Sequence, residues 1–128
     1  MNVFDATALE TLVKQLVISG GVTSTVFSER PKAKEQGGDF AVVSLTSRVD
    51  DMACYGDTEL SIDLFARDVK NVKNAAKLSK MYTALMSAIP AESGRYMFSR
   101  TPMTLPDVSD DFGYTARIVT FQVIIKHA

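Results

Sequence analysis

Between Thr58 and Ile89 the spacing of apolar residues changes from two to three and four. In TELSIDLFAR, Leu60, Ile62, Leu64 and Ala66 alternate with Glu59, Ser61, Asp63 and Phe65, the period of a strand with one face on a core. Asp68 interrupts the alternation, and its short carboxylate suits a helix N-cap. From Val69 onward, Val72, Ala75, Leu78, Tyr82, Leu85 and Ile89 recur at the steps that line one side of a helix, with Lys70, Lys73, Asn74, Lys77 and Lys80 mostly on the other. Pro90 lacks the N–H for another helical bond and disfavours the α conformation at Ile89, so the helix should stop there. This strand–helix unit is expected to be the central packing layer. Each large apolar side chain on its inner face contributes about 1.5–3 kcal/mol before entropy.

The same reading extends over the rest of the chain. Thr7 to Ile18 reads as a first helix, with an apolar side of Leu9, Leu12, Val13, Leu16 and Val17 and a Thr7/Glu10 capping-box spacing. Gly20 and Gly21 suit a left-handed exit from it. Val22 to Phe27 is a short strand, and Arg30 to Gly38 is a polar loop. Asp39 to Arg48 is a strand with Phe40 and Val42 on one face and Ala41, Val43 and Leu45 on the other, which predicts a central position or cover on both sides. Val49 to Asp57 forms a long hairpin connection. After the second helix come a turn at Ala91 to Gly94 and a strand from Arg95 to Met103 whose Pro102 suggests a sheet edge. An acidic loop, Pro106 to Gly113, leads to the last strand, Tyr114 to Lys126. Val119, Phe121, Val123 and Ile125 share one of its faces; Ile118, Thr120, Gln122 and Ile124 share the other. The predicted order is α-β-β-β-α-β-β: an α+β fold, mainly antiparallel, with one long helix packed on the sheet. The last strand exceeds the mean strand length, so part of it is expected to project or to pair with another chain.

Composition narrows the function classes. A chain of 128 residues suits one domain over 1–128. A formal net charge of -1 disfavours a nucleic-acid binder, and no apolar run reaches the length of a membrane span. The start, MNVFDATALE, lacks the basic flank and apolar run of a signal peptide, so the chain is expected to fold in a cytoplasm. A single cysteine, Cys54, excludes an internal disulfide and a cysteine-rich zinc site.

Candidate chemistry is sparse. His127, the one histidine, sits at a chain end that frays, and Cys54 lies among acids that raise a thiol pKa. Asp50 with Asp51, and Asp107 with Asp110 and Asp111, are carboxylate groups of the kind that hold Ca²⁺ or Mg²⁺ or serve as an acid/base pair. DVSDDFG, however, lacks the glutamate that closes a calcium loop, and solvated turn charge is the plainer reading. The glycine pairs 20–21 and 37–38 fit no nucleotide-binding pattern. Lys70, Lys73, Lys77 and Lys80 have the spacing of the wet face of an amphipathic helix, and Met81, Tyr82 and Met86 are expected to fill core or interface. Catalytic, cofactor and metal residues are therefore expected to be none, and the protein is not expected to be an enzyme.

In order, VFSERP, DFAVVSL, ELSIDLFAR, NVKNAAKLSKMYTALMSAI, YMFSR and PDVSDDFGYTARIVTFQVIIK follow a first helix at fitting spacings. In that combination the chain, over roughly residues 22 to 126, resembles the small tail-completion (tail-terminator) proteins of long-tailed bacteriophages and prophages. The connection at 49–57 and the strand at Tyr96 match that pattern least. The resemblance implies a structural virion assembly protein that caps the tail tube, stops its polymerisation and forms part of the head–tail joining surface. It implies a self-associated ring, commonly hexameric, with tail-tube and head–tail connector proteins as partners, and no cofactor. It further implies a place in the bacterial host cytoplasm during assembly and then in the virion tail. A ring closes through heterologous contacts. The long last strand and the polar connection before Thr58 make Asp50, Asp51, Met52, Tyr55, Tyr114, Phe121, Val123 and Ile125 the expected subunit or tube contacts. The alternatives are a small ligand- or peptide-binding α+β module with a pocket between sheet and helix, and an enzyme using the aspartates with a divalent metal.

Overall fold

The computed structural model describes residues 6–28, 38–45, 50–51, 55–110 and 113–126, and of residues 6, 50, 51 and 55 the backbone alone. The loop expected at Arg30 to Gly38 lies outside them but for Gly38, as do Met52, Cys54 and His127. Helix α1 spans Ala6–Ser19 and α2 spans Ala75–Ala88. The strands are β1 (Val26–Phe27), β2 (Phe40–Leu45), β3 (Asp50–Asp51), β4 (Tyr55–Arg67), β5 (Glu92–Ser93), β6 (Tyr96–Phe98), β7 (Met103–Thr104), β8 (Val108–Ser109) and β9 (Tyr114–Lys126). All nine join one sheet with the path β1-β2-β4-β9-β6-β5; β3 pairs with β4, and β7 and β8 pair with β9. Every pairing is antiparallel except β1 with β2.

The fold is α+β and mainly antiparallel, as the hydrophobic pattern predicts, but the predicted order and the single long helix do not hold. Four more short strands interrupt the expected order, and the two helices are equal, 14 residues each. The second helix starts at Ala75, not Val69, because Asn74 is its N-cap, its side-chain oxygen accepting from Lys77 N–H at 3.2 Å. Residues 69–72 form a tight turn instead. Val69 and Val72 exchange both backbone hydrogen bonds, at 2.9 and 3.0 Å, across Lys70 and Asn71, which both have positive φ. Asp68 is drawn away from helix capping by the sheet: its carboxylate accepts from the Thr115 hydroxyl at 2.8 Å, and its N–H donates to Gly113 C=O at 2.8 Å.

Helix ends follow local chemistry more closely. α1 leaves through Gly21 at φ 74°, with Val22 N–H donating to Val17 C=O and Gly21 N–H to Ile18 C=O, the paired bonds of a Schellman ending. Val17 and Val22 are both buried, which supplies the hydrophobic contact that accompanies it. Gly20 answers to a different need: a Cβ there would come within 2.3 Å of the Ala88 Cβ, so its missing side chain lets the two helices approach. α2 ends at Ile89, extended before Pro90 as expected. Arg100 then donates to Ile89 C=O at 2.7 Å and to Met86 C=O at 3.3 Å, a cation on carbonyls the helix leaves unpaired.

The core lies between the helices and one face of the sheet. Leu9, Val13 and Val17 of α1 and Leu78, Met81 and Leu85 of α2 meet Ala41, Val43, Leu60, Ile62, Leu64, Val119, Phe121 and Val123, all nearly inaccessible. β9 does not project. All thirteen of its residues pair with β4 on one side, and β6, β7 and β8 pair along its other side. Its unusual length is thus used up within the chain.

Candidate assembly surface

Strand alternation assigns every second residue of β4 and β9 to the face away from the helices. In register these are Asp57↔Ile124, Glu59↔Gln122, Ser61↔Thr120, Asp63↔Ile118, Phe65↔Ala116 and Arg67↔Tyr114. No described helix covers this face. One end of it is closed by aromatic packing. Phe40 stacks on Phe65, ring centroids 4.5 Å apart at 8°, and meets Tyr114 and Phe27 edge-on at 5.3 and 5.9 Å. The Arg67 guanidinium lies 5.4 Å from the Tyr114 ring centre and donates to its hydroxyl at 3.3 Å.

Along the outer edge of β9 the same face is apolar and open. β6, β7 and β8 place Met97 beside Ile124, Met103 beside Thr120 and Val108 beside Ala116. Leu105 continues the same register, its N–H donating to Ile118 C=O at 3.2 Å. Met103 is 59% exposed, Val108 55%, Leu105 44%, Met97 40% and Ile124 39%. Scattered exposed apolar residues are ordinary; these five share one sheet face.

Beside the aromatic packing lies a groove of about 220 Å³ lined by Asp63, Phe65, Val108, Asp110, Ala116 and Ile118. Asp63 stands between Val42 and Ile118 in register. Burial against these neighbours pushes its carboxyl pKa up, only partly offset by the Ser61 hydroxyl, which donates to Oδ1 at 2.6 Å. A second carboxylate shows the opposite balance. Asp107 accepts two hydrogen bonds from Arg117, at 2.9 and 3.1 Å, and lies 2.8 Å from the Lys73 ammonium. The Arg117 hydrogen bond leads these effects in holding the Asp107 pKa down to about 2, against the smaller opposing cost of burial. Arg117 shares the helix-side face with Leu64 and also reaches Ser79 of α2 at 3.4 Å. The cluster pins the loop before β8 to α2 and β9.

The expected contact residues are dispersed by this geometry. Phe121, Val123 and Ile125 sit on the helix-covered face and are at most 1% exposed; Tyr114 faces the other way but is enclosed under the aromatic packing. The chain's own core holds these four side chains, and the outward-facing residues of this part of β9 are Ile118, Thr120, Gln122 and Ile124. Asp50 and Asp51 pair with Asp57 and Gly56, and Tyr55 pairs with Lys126, which places β3 at the opposite end of β4 from the aromatic cluster. Sequence reasoning did not single out Met97, Met103, Leu105 or Val108. The available signal was the second face of the last strand, with Ile118 and Ile124 on it. The lysine stripe is partly occupied: Lys73 bonds to Asp107, and Lys77 lies 3.9 Å from Asp39. Among the described residues no three His, Cys, Asp or Glu side chains come together as a metal-holding group, and no helix is long and apolar enough to cross a membrane.

No known family profile and no curated protein matches the chain. Solved structures do share its fold. One, a protein described only by a sequence identifier, aligns over 95% of this chain and 93% of its own at 11% identity and a TM-score of 0.62. Another is a chain of the virion of a native gene transfer agent particle. It aligns over 97% of this chain and 99% of its own, at 12% identity and a TM-score of 0.57.

Proposed function

We propose that this chain is a structural virion assembly protein of the tail-terminator kind, working by contact and not by catalysis. The observation that carries the reading is the end-to-end likeness to a chain of a gene transfer agent virion particle, with almost nothing left over on either side. It agrees with the ordered segment pattern in the sequence. The open sheet face supports it from the physical side, because a protein that lives by assembly needs an apolar surface its own core does not use. In this reading copies of the chain close into a ring, commonly of six, on the end of the tail tube. The ring stops tube polymerisation and offers its far side to head–tail connector proteins. Assembly takes place in the bacterial host cytoplasm and ends in the virion tail. Subunit and tube contacts use the outward set of β9, with Met97, Met103 and Leu105, and the β3–β4 end with Asp50, Asp51, Met52 and Tyr55.

Solution mass by light scattering over a range of concentrations, with and without tail-tube protein, tests the reading. Closed rings, or capped tubes of defined length in electron micrographs, are expected. A protein that stays monomeric and leaves tube growth unchanged would overturn it in favour of a small binding module. Introducing charge at Met103 and Ile124 (Met103→Asp with Ile124→Asp) should abolish capping in a protein that still folds; Asp50→Lys with Asp51→Lys tests the β3–β4 end in the same assay.

A further inference from the structure

The groove beside Asp63 has walls and a charge that fit a specific kind of guest. Phe65, Val108, Ala116 and Ile118 supply apolar sides. At about 220 Å³ it falls below the roughly 300–1,000 Å³ of sites that hold cofactors or drug-sized ligands, and suits a single long side chain. Asp63 sets a carboxyl group among these apolar sides; the groove's other acid, Asp110, accepts from Tyr114 N–H at 3.0 Å. Among the described residues the Asp63 side chain has one hydrogen-bond partner, the Ser61 hydroxyl on Oδ1. The cation further along the same strand face, Arg67, is held over the Tyr114 ring. A carboxylate in such surroundings is stabilised by an incoming cation that brings its own apolar stem.

We infer that this groove receives one arginine side chain of a partner polypeptide, with the guanidinium on Asp63 and the stem along Ile118 and Val108; the inference rests on the assembly reading above. Arginine suits the site better than lysine. Its planar guanidinium is weakly hydrated, so it gives up little on entering an apolar groove, and it forms charge-assisted hydrogen bonds in fixed directions. Oδ2 and the remaining lone pair of Oδ1 provide the acceptors. The groove adjoins Met103 and Leu105 across β9, so an arginine there would be an oriented anchor at the edge of a broader apolar contact.

The test is a methyl-detected NMR titration of the full chain with N-acetyl-arginine amide, against the neutral isostere N-acetyl-citrulline amide. Saturable shifts confined to Val108, Ile118 and their neighbours are expected with the arginine probe and not with citrulline. Asp63→Asn should weaken that binding at least about tenfold, with unchanged core methyl signals from Leu60 and Ile62 reporting an intact fold. Equal shifts from both probes, no saturable shift, or unchanged arginine binding in Asp63→Asn would overturn the inference. Tube capping by the wild-type chain is scored separately. Capping without arginine binding removes the inference and leaves the assembly reading; arginine binding without capping keeps the site and removes that reading.

Discussion

The two faces of the sheet are built from the same strands, yet they obey different physics. Toward the helices, Leu60, Ile62, Val119, Phe121 and Val123 are sealed from water and meet side chains from α1 and α2. Away from them, the same strands present Asp63, Glu59, Gln122 and Ile124, and the flanking short strands add exposed Met97, Met103 and Val108. The carboxylates follow the division. Asp107, tied to Arg117 beside α2, is strongly stabilised as an anion; Asp63, in the apolar groove, is not. The covered face is committed to stability. The open face retains exposed apolar surface and a carboxylate whose charged form burial disfavours.

This contrast can be broken experimentally. The largest effect should come from the covered face: Phe121→Ala should cost about 3–5 kcal/mol in denaturant unfolding, because it removes a ring from a closed core. A cost under about 1 kcal/mol would mean that the helix layer is loosely packed. Next, Asp107→Asn should cost about 1–2 kcal/mol at neutral pH. The folded pKa of Asp107 lies below its ordinary 3.8, so its contribution is complete above that value and is lost as pH falls from 3.8 toward about 2. Acid unfolding followed by circular dichroism should show that loss, flattened in the variant.

Asp63→Asn should act in the opposite direction and raise neutral-pH stability, by under about 1 kcal/mol. The folded pKa of Asp63 lies above its ordinary 3.8. Its favourable contribution is therefore present below 3.8 and lost as pH rises through the folded value, and the variant's advantage should vanish in acid. A destabilised Asp63→Asn at neutral pH would contradict the balance assigned to the groove. The smallest effect on folding belongs to Ile124→Ser, within about 0.5 kcal/mol of wild type in the same unfolding assay. Its effect should appear instead as impaired ring formation or tube capping.

Much of the covered face was legible along the chain, since the alternation of Leu60 to Ala66 and of Val119 to Ile125 is a direct record of which side meets a core. The open face was legible only as a remainder. β7 and β8 are two residues each, too short for any period to register, and both exist because β9 offers them an edge. Length also misled: a strand as long as β9 suggested a reach toward another chain, which placed Phe121, Val123 and Ile125 among the expected contacts, whereas β4 is equally long and takes up all of it.

What the sequence determined by itself was whatever depends on neighbours a few residues away: the strand periods, the stop at Pro90, and the left-handed exit at Gly21. Tertiary structure decided what depends on competition between distant partners. Asp68 had the chemistry of a cap, but the Thr115 hydroxyl, 47 residues away, and the nearby Gly113 carbonyl took its hydrogen bonds, leaving Asn74 to start the helix. Asp63 looked like any polar residue on a wet strand face. Only packing on β2 and β9 beside Val42 and Ile118 removed enough water to give its charge a cost, because desolvation depends on surroundings the local sequence does not contain.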